Sequence, residues 1–158
     1  SSDVCSSDLN RLMYISVAII LFFSITSCKK DANQDEIDHG KIEEYIVTQQ
    51  LDGQFSSSGL YYVIEEEGSA EHPNLYSTVT FTYMGYYLNG DEFDSGEYFT
   101  SSLSSLIIGW QEGLQYIGEG GEITMVIPSG LAYGSSGSGP IGPNEVIAFD
   151  VTLHYFTN

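Results

Sequence analysis

The sequence predicts an α+β protein in which one short helix lies across an antiparallel sheet. Three observations support this fold class. From residue 59 onward, apolar and polar residues alternate with a period of two in several separate stretches. One stretch, residues 106–117, instead shows the three- and four-residue spacing of a helix. The clearest strand has one apolar and one polar face, which is typical of an antiparallel sheet, and a helix on such a sheet defines the α+β class.

Four stretches carry the strand pattern. Residues 60–64 alternate, and Thr78–Tyr83 combines β-branched with aromatic residues. Asn89-Gly90 predicts a type I′ turn that leads into a hairpin strand at Glu92 and Phe93. Glu122–Ile127 is a further strand, stopped by Pro128, and Val146–Phe156 is the last. In that last strand we expect a buried face of Ile147, Phe149, Val151, Leu153 and Tyr155 and a wet face of Asp150, Thr152 and His154.

Two stretches show helical spacing of their apolar residues. In residues 106–117, the apolar residues Ile107, Trp110, Leu114 and Ile117 share one face. A fainter pattern runs from Glu36 to Leu51, with Ile42, Tyr45 and Ile46 on one face. We expect Gln54–Ser58 to be a polar break and the Gly- and Ser-rich residues 134–142 to be a flexible loop.

The N-terminal residues have the pattern of a targeting signal. The apolar run 12–25 follows Arg11 and is short for a membrane span, but it suits a signal peptide. It ends in Ile25-Thr26-Ser27-Cys28, which resembles the lipobox of bacterial lipoproteins and implies that Cys28 is lipidated. A buried helix with an incidental cysteine is the alternative. We therefore predict a signal peptide at 1–27 (with 1–9 an artefact of cloning or assembly), a lipidated cysteine, acidic tether and weak helix at 28–58, and the folded domain at 59–158.

Charge and motif content exclude several functions. The 158 residues carry a net charge of −18, and nothing basic follows Lys41. Such a surface repels nucleic acid and anionic lipid, so we expect no nucleic-acid partner and membrane contact through a lipid anchor only. The three histidines are scattered, and the Gly-rich loop lacks the lysine of a P-loop, so neither a metal nor a cofactor is predicted. Both cysteines precede residue 59, which leaves the domain without a disulfide.

Several motifs, taken in order, resemble the FK506-binding-protein (FKBP) family. They are Tyr83-Met84-Gly85, Asn89-Gly90-Asp91-Glu92-Phe93-Asp94-Ser95, Ile107-Ile108-Gly109-Trp110-Gln111-Glu112-Gly113-Leu114, Ile127-Pro128-Ser129-Gly130-Leu131-Ala132-Tyr133-Gly134, Pro143-Asn144 and Phe149-Asp150-Val151. The resemblance implies a bent antiparallel sheet wrapped around one short helix. It also implies peptidyl-prolyl cis-trans isomerase activity on Xaa-Pro polypeptides, with an FK506-like macrolide as a candidate ligand and no cofactor.

The same resemblance assigns roles to matched positions. Trp110 would form the floor of a proline pocket. Ile107 would donate its backbone N–H and Tyr133 its hydroxyl to substrate carbonyls, and Asp94 would be a buried carboxylate beside the twisted amide. The walls would be formed by Tyr83, Phe93, Ile107 and Phe149. Leu106 would line the rim, and Ile141 would lie on the flap over the pocket. From the residues alone, without the resemblance, plain core positions are the favoured interpretation of Trp110 and Phe149.

The chain departs from the family at two places. Where a pocket phenylalanine is usual, this chain has Ser101, and we expect Phe99 to replace it because residues two apart on a strand share a face. Gly142-Pro143 stands where many members have paired prolines.

We therefore predict a monomeric, lipid-anchored isomerase on the periplasmic side of the outer membrane. The alternatives are a catalytically weak binding or chaperone lipoprotein, and a surface lipoprotein that docks a partner.

Overall fold

Six antiparallel strands form one sheet in the computed structural model, which describes residues 33–158. The strand order across the sheet is β1-β2-β5-β6-β3-β4. The predicted signal peptide and Cys28 lie outside the described residues. In chain order the helices and strands are α1 Gln34–Gln49, β1 Gln54–Phe55, β2 Tyr61–Glu66, β3 Thr78–Tyr87, β4 Glu92–Ser102, α2 Ile108–Gly113, β5 Glu122–Ile127 and β6 Ile147–Thr157.

The predicted strands are all present, and the polar break at Gln54–Ser58 is the one segment that gains a strand. Gln54 and Phe55 pair with Tyr62 and Tyr61, so β1 forms the edge of the sheet next to β2. A strand of two residues is too short to show an alternating pattern, and it forms here because a neighbouring strand offers its free edge. The predicted α+β fold class is confirmed.

The turn between β3 and β4 is not of type I′. That turn needs positive φ at both central residues, but here Gly90, at φ +91°, is left-handed and Asn89 is not. The Gly90 N–H donates to the carbonyl of Tyr87 (2.8 Å), and the Tyr87 N–H donates to the carbonyl of Asp91 (2.9 Å). This is the three-residue loop with a glycine bulge, in which Gly90 supplies the positive φ. The predicted hairpin is correct, and its predicted turn type is wrong.

The C-terminal strand changes face near its end. Ile147, Phe149, Val151 and Leu153 are buried as predicted, but Tyr155 is 52% exposed. The register explains the difference, because Phe81 of β3 faces Leu153 while Thr80 faces Tyr155, which leaves His154 unpaired. One extra residue reverses the faces that follow it. Phe156 therefore packs on the core in place of Tyr155.

Helix α1 covers part of the outer face of the sheet, which the alternation predicted to be wet. Ile42 is fully buried, and a small apolar cluster joins it to residues on that face: Tyr61, Val126, Val146 and Ala148, with Tyr45 and Ile46 at its margin. The predicted helical face was therefore correct. Its docking was not predicted, because a helix is seen to cover a sheet only once both are placed.

Asp38 anchors α1 to the loop that follows β5. Its Oδ2 accepts hydrogen bonds from the Ser129 N–H (2.8 Å) and the Ser129 hydroxyl (2.6 Å), and its Oδ1 accepts one from Gln34 Nε2 (2.7 Å). Asp38 is 1% exposed. Asp38 lies where the sequence predicted the end of an acidic tether and the start of a weak helix, and the structure places it at a buried contact.

Helix α2 packs on the opposite, inner face of the sheet. It begins after Ile107, runs from Ile108 to Gly113, and continues as a 3₁₀ turn through Tyr116. Trp110, Leu114 and Ile117 are buried there in the main core. The short helix predicted over residues 106–117 is confirmed, with its last turn tightened. No helix within residues 33–158 is long and apolar enough to span a lipid bilayer.

Candidate functional site

An aromatic cavity of about 270 Å³ opens between α2 and the inner face of the sheet. Strands β3 and β6 contribute side chains from the middle of the sheet, β4 contributes them from its edge, and two loops and α2 complete the wall. The lining residues are Phe81, Tyr83, Asp94, Phe99, Ser105, Leu106, Ile107, Trp110, Tyr133 and Phe149. Most of this lining is apolar, so the cavity favours an apolar group that leaves water.

Trp110 forms the floor of the cavity. It lies in the first turn of α2, which directs its ring at the sheet, and it is 4% exposed. Its ring centroid is 4.7 Å from that of Phe81, and it meets Phe149 (5.1 Å) and Tyr83 (5.5 Å) edge to face. Edge-to-face contacts of this kind are favourable and directional. They hold the indole in one orientation.

The wall at Phe149 depends on Gly85. Phe149 and Gly85 are paired across β6 and β3. A Cβ built on Gly85 would lie 2.5 Å from the Phe149 ring and 2.8 Å from the Phe93 ring, so both rings need a residue without a side chain there. Phe93 meets Phe149 edge to face at 5.5 Å. Phe93 therefore packs against a wall residue but is not among the residues that line the cavity.

Two polar groups face each other at the mouth. The Tyr83 hydroxyl donates a 2.8 Å hydrogen bond to Asp94 Oδ2. Burial, together with the hydrogen bond and the charge of Asp94, raises the pKa of Tyr83 to about 12. Asp94 itself is exposed, contrary to the buried carboxylate that the resemblance implies. It is exposed because β4 is the edge strand, beyond which no further strand of the described sheet lies.

Two hydrogen-bond donors at the cavity have no partner among residues 33–158. Ile107 precedes α2 in an extended conformation (φ −62°, ψ 154°); its carbonyl accepts the first helical bonds, while its own N–H makes none. The hydroxyl of Tyr133 is likewise without a partner in the described part of the chain. Burial, and then the charge of Asp94, raise the pKa of Tyr133, so the phenol stays protonated. Both donors are available to a ligand.

The structure brings together most of the residues that the sequence singled out. Eight line the cavity: Tyr83, Asp94, Phe99, Leu106, Ile107, Trp110, Tyr133 and Phe149. Phe93 and Ile141 do not; Ile141 is 6% exposed and packs in the core cluster that also contains Trp110. Phe99 is 50% exposed and lines the cavity at its mouth. Ser101, which stands where the family usually has a pocket phenylalanine, is not among the lining residues.

The sequence reasoning missed two lining residues, Phe81 and Ser105. Phe81 lies two residues before Tyr83 on the same strand, and that spacing was a usable signal for a shared face. Its ring is also 5.8 Å from that of Phe99, directly across the β3–β4 pair. Ser105 lies in a short 3₁₀ turn between β4 and α2, for which the sequence offers no comparable periodic signal.

The chain is similar in sequence to known proteins. A family model described as "FKBP-type peptidyl-prolyl cis-trans isomerase" matches residues 69–154. An FKBP-type isomerase FkpA of Buchnera aphidicola subsp. Baizongia pistaciae (strain Bp) is 36% identical over 136 residues, which cover 84% of this chain and 54% of that protein. The FkpA of Escherichia coli (strain K12) is 44% identical over 102 residues, which cover 62% of this chain and 38% of that protein.

A solved structure extends the likeness to the fold. The crystal structure of FkpA from Escherichia coli superposes with a TM-score of 0.70 at 33% sequence identity, and the match covers 99% of this chain and 75% of that one. This chain spans only about half the length, or less, of the curated relatives it matches. The family match nevertheless includes all of β3, β4 and β5, most of β6 and the helix that floors the cavity. The chain belongs to the family of FKBP-type peptidyl-prolyl cis-trans isomerases.

Proposed function

We propose that this chain is a peptidyl-prolyl cis-trans isomerase that rotates Xaa-Pro bonds in the cavity floored by Trp110 and so assists protein folding. One observation carries the proposal. A small aromatic cavity places two unpartnered donors, Ile107 N–H and the Tyr133 hydroxyl, at an apolar surface, in a chain of this family. At about 270 Å³ the cavity lies below the usual range for drug-sized ligands, about 300–1,000 Å³, and suits a single ring such as that of proline.

The chemistry requires no nucleophile and no cofactor. Resonance keeps the peptide bond planar, with a barrier of about 18–20 kcal/mol. The twisted state has less resonance and less charge separation than the planar amide. A dry apolar cavity therefore disfavours the planar ground state relative to the transition state, which is the condition for catalysis. Without a catalyst, Xaa-Pro bonds exchange over tens of seconds or more, slowly enough to limit folding.

The polar groups orient the substrate. In this proposal the Tyr133 hydroxyl and the Ile107 N–H each donate to a carbonyl oxygen of the bound peptide. Fixed donors that meet the twisted geometry stabilise it without reorganising. The hydrogen bond from Tyr83 to Asp94 occupies one carboxylate oxygen and holds the wall of the cavity at its mouth. We also propose that an FK506-like macrolide competes with the peptide by placing one apolar ring in the same cavity.

Removing the hydroxyl of Tyr133 tests this function. In a coupled assay with short Xaa-Pro peptides we expect wild type to accelerate isomerisation. Tyr133→Phe should lower kcat/KM about tenfold, the size of one lost hydrogen bond in a dry site.

Because the pKa values of Tyr83 and Tyr133 are raised, both phenols stay protonated, and kcat/KM should be constant from about pH 6 to 9.

The matched control is Tyr155→Phe, which removes the hydroxyl of an exposed tyrosine outside the cavity. It should leave kcat/KM unchanged. A folded wild type that does not accelerate isomerisation would refute the proposed isomerase activity. The alternative, a binding or chaperone lipoprotein, would then remain. A Tyr133→Phe variant with wild-type kcat/KM would exclude the proposed donor while leaving the enzyme intact.

We further propose that the protein is a lipoprotein, anchored through Cys28 to the outer membrane on its periplasmic side. The support is the sequence alone, the apolar run 12–25 followed by Ile25-Thr26-Ser27-Cys28. When the full chain is expressed in a Gram-negative bacterium, wild type should incorporate labelled palmitate and sediment with membranes. Cys28→Ser should do neither. Labelling of the serine variant, or a wild type without label, would contradict the anchor.

A further inference from the structure

The loop that follows Tyr133, residues 134–142 and hereafter the flap, is a closed hairpin in the structure, although its composition predicts flexibility. At its base the Asn144 N–H donates to the carbonyl of Gly134 (2.8 Å). Near its tip Ser138 and Ile141 exchange two backbone hydrogen bonds, each 2.9 Å. The tip is the two-residue turn Gly139-Pro140, in which Gly139 has the positive φ (+54°) that such turns require.

A side chain from another strand holds the tip of the flap. The Tyr87 hydroxyl, at the end of β3, donates a 2.8 Å hydrogen bond to the carbonyl of Pro140. Tyr87 and Pro140 are 53 positions apart in the sequence. The Pro140 carbonyl lies at the turn and makes no bond within the hairpin. The Tyr87 hydroxyl is thus the group that ties the tip to the sheet.

The ring of Tyr87 connects the same contact to the cavity. It packs on Phe93 with centroids 5.1 Å apart, and Phe93 supports Phe149, which lines the cavity. The flap reaches the site at two further points: it begins directly after Tyr133, and Ile141 is buried in the core cluster with Trp110. The flap is therefore fixed at Tyr133, at Ile141 and, through Tyr87, at its tip.

We propose that Tyr87 is a positioning residue of the isomerase, whose hydroxyl keeps the flap in the arrangement that binds Xaa-Pro peptide. The proposal rests on the proposed function and concerns the same cavity. Gly134, Gly137 and Gly139 all have positive φ, so the flap contains three residues whose backbone changes conformation readily. Once the tip is released, only part of the population holds the flap and Tyr133 in place. The apparent affinity for peptide then falls to that fraction of its value with the flap held in place.

Tyr87→Phe isolates the hydroxyl, because phenylalanine keeps the ring contact with Phe93. The matched control is Tyr86→Phe, the neighbouring residue on β3, whose hydroxyl donates to Asp150 (3.0 Å) and not to the flap. Three quantities should be measured on the full chain in mild detergent. They are the peptide Kd from the fluorescence of the single tryptophan, the separate kcat and KM, and the amide exchange rate of Ile141, whose N–H closes the hairpin.

We expect Tyr87→Phe to raise Kd and KM about fivefold, the effect of one neutral hydrogen bond, while kcat stays within about twofold. Exchange at Ile141 should become faster. Tyr86→Phe should match wild type in all three quantities. A Tyr87→Phe variant with wild-type Kd, or with equal losses in kcat and affinity, or a Tyr86→Phe variant with the same changes, would overturn the proposal.

The two proposals fail in different ways. A wild type that binds peptide but does not accelerate isomerisation refutes the enzyme, and the comparison of Kd values then still decides whether Tyr87 positions the flap. A wild type that binds no peptide refutes the binding site itself, and with it the positioning role of Tyr87.

Discussion

Trp110→Ala is expected to remove both the floor of the cavity and a large part of the core beneath it. Trp110 is 4% exposed and contacts three aromatic rings. Replacing a buried tryptophan by alanine costs about 3–5 kcal/mol of the free energy of unfolding. The enlarged space would admit water, and the proposed catalysis depends on a dry site. We therefore expect kcat/KM to fall by about a hundredfold or more, a larger effect than the loss of the Tyr133 hydroxyl.

Leu114→Ala separates stability from the site. Leu114 is fully buried in the same core cluster, about one turn after Trp110, but it does not line the cavity. It should cost about 2–5 kcal/mol as well. Unfolding free energies come from urea titration followed by circular dichroism, and kcat/KM is measured at a temperature where both variants are folded. If Leu114→Ala lost as much activity as Trp110→Ala under those conditions, the specific role of the indole would be excluded.

Asp38→Ala is expected to lower the free energy of unfolding by about 3 kcal/mol and to loosen α1. The carboxylate is buried and accepts three hydrogen bonds, two of them from Ser129. Removing it leaves the buried N–H and hydroxyl of Ser129 without an acceptor, and unpaired buried donors cost about 1–3 kcal/mol each. Amide exchange along Gln34–Gln49 should rise, because this contact joins the helix to the loop after β5.

A double-mutant cycle checks the contact directly. Asp38→Ala, Ser129→Ala and the double variant should show a coupling energy of about 1–3 kcal/mol in urea unfolding. Asp38→Asn retains an acceptor oxygen and should lose less than Asp38→Ala. Additive losses from the two single variants would mean that the Ser129 hydroxyl contributes nothing to this contact, since the backbone N–H of Ser129 is still present in Ser129→Ala.

The order of strands and helices could be predicted because each depends on a local pattern. The alternation in residues 122–127 and the spacing of Trp110, Leu114 and Ile117 are readable without knowing what they contact. Where contacts between distant segments decide which residues are buried, the predictions from the sequence were wrong. The pairing of β3 with β6 sets the bulge at His154 that exposes Tyr155, and the docking of α1 buries Ala148 on a face predicted to be wet.

The candidate site shows the same division. Motif resemblance pointed to Trp110, Ile107 and Tyr133, and these line one cavity. It also pointed to Phe93 as a wall residue, but Phe93 packs against Phe149 and is not among the residues that line the cavity. The hydrogen bond from Tyr87 to Pro140 has no sequence signal, since its partners are 53 positions apart. A contact of that kind depends on the whole path of the chain.

By itself the sequence determined the fold class, the acidic character of the protein and the family to which the chain belongs. These follow from period, composition and ordered motifs, all of which are properties of residues close together along the chain. Only the tertiary structure decided that α1 covers part of the outer face of the sheet, that Asp38 is buried against Ser129, and that the flap is tied down through Tyr87. Those outcomes rest on contacts between distant segments, whose partners are chosen by packing and by the pairing of buried polar groups.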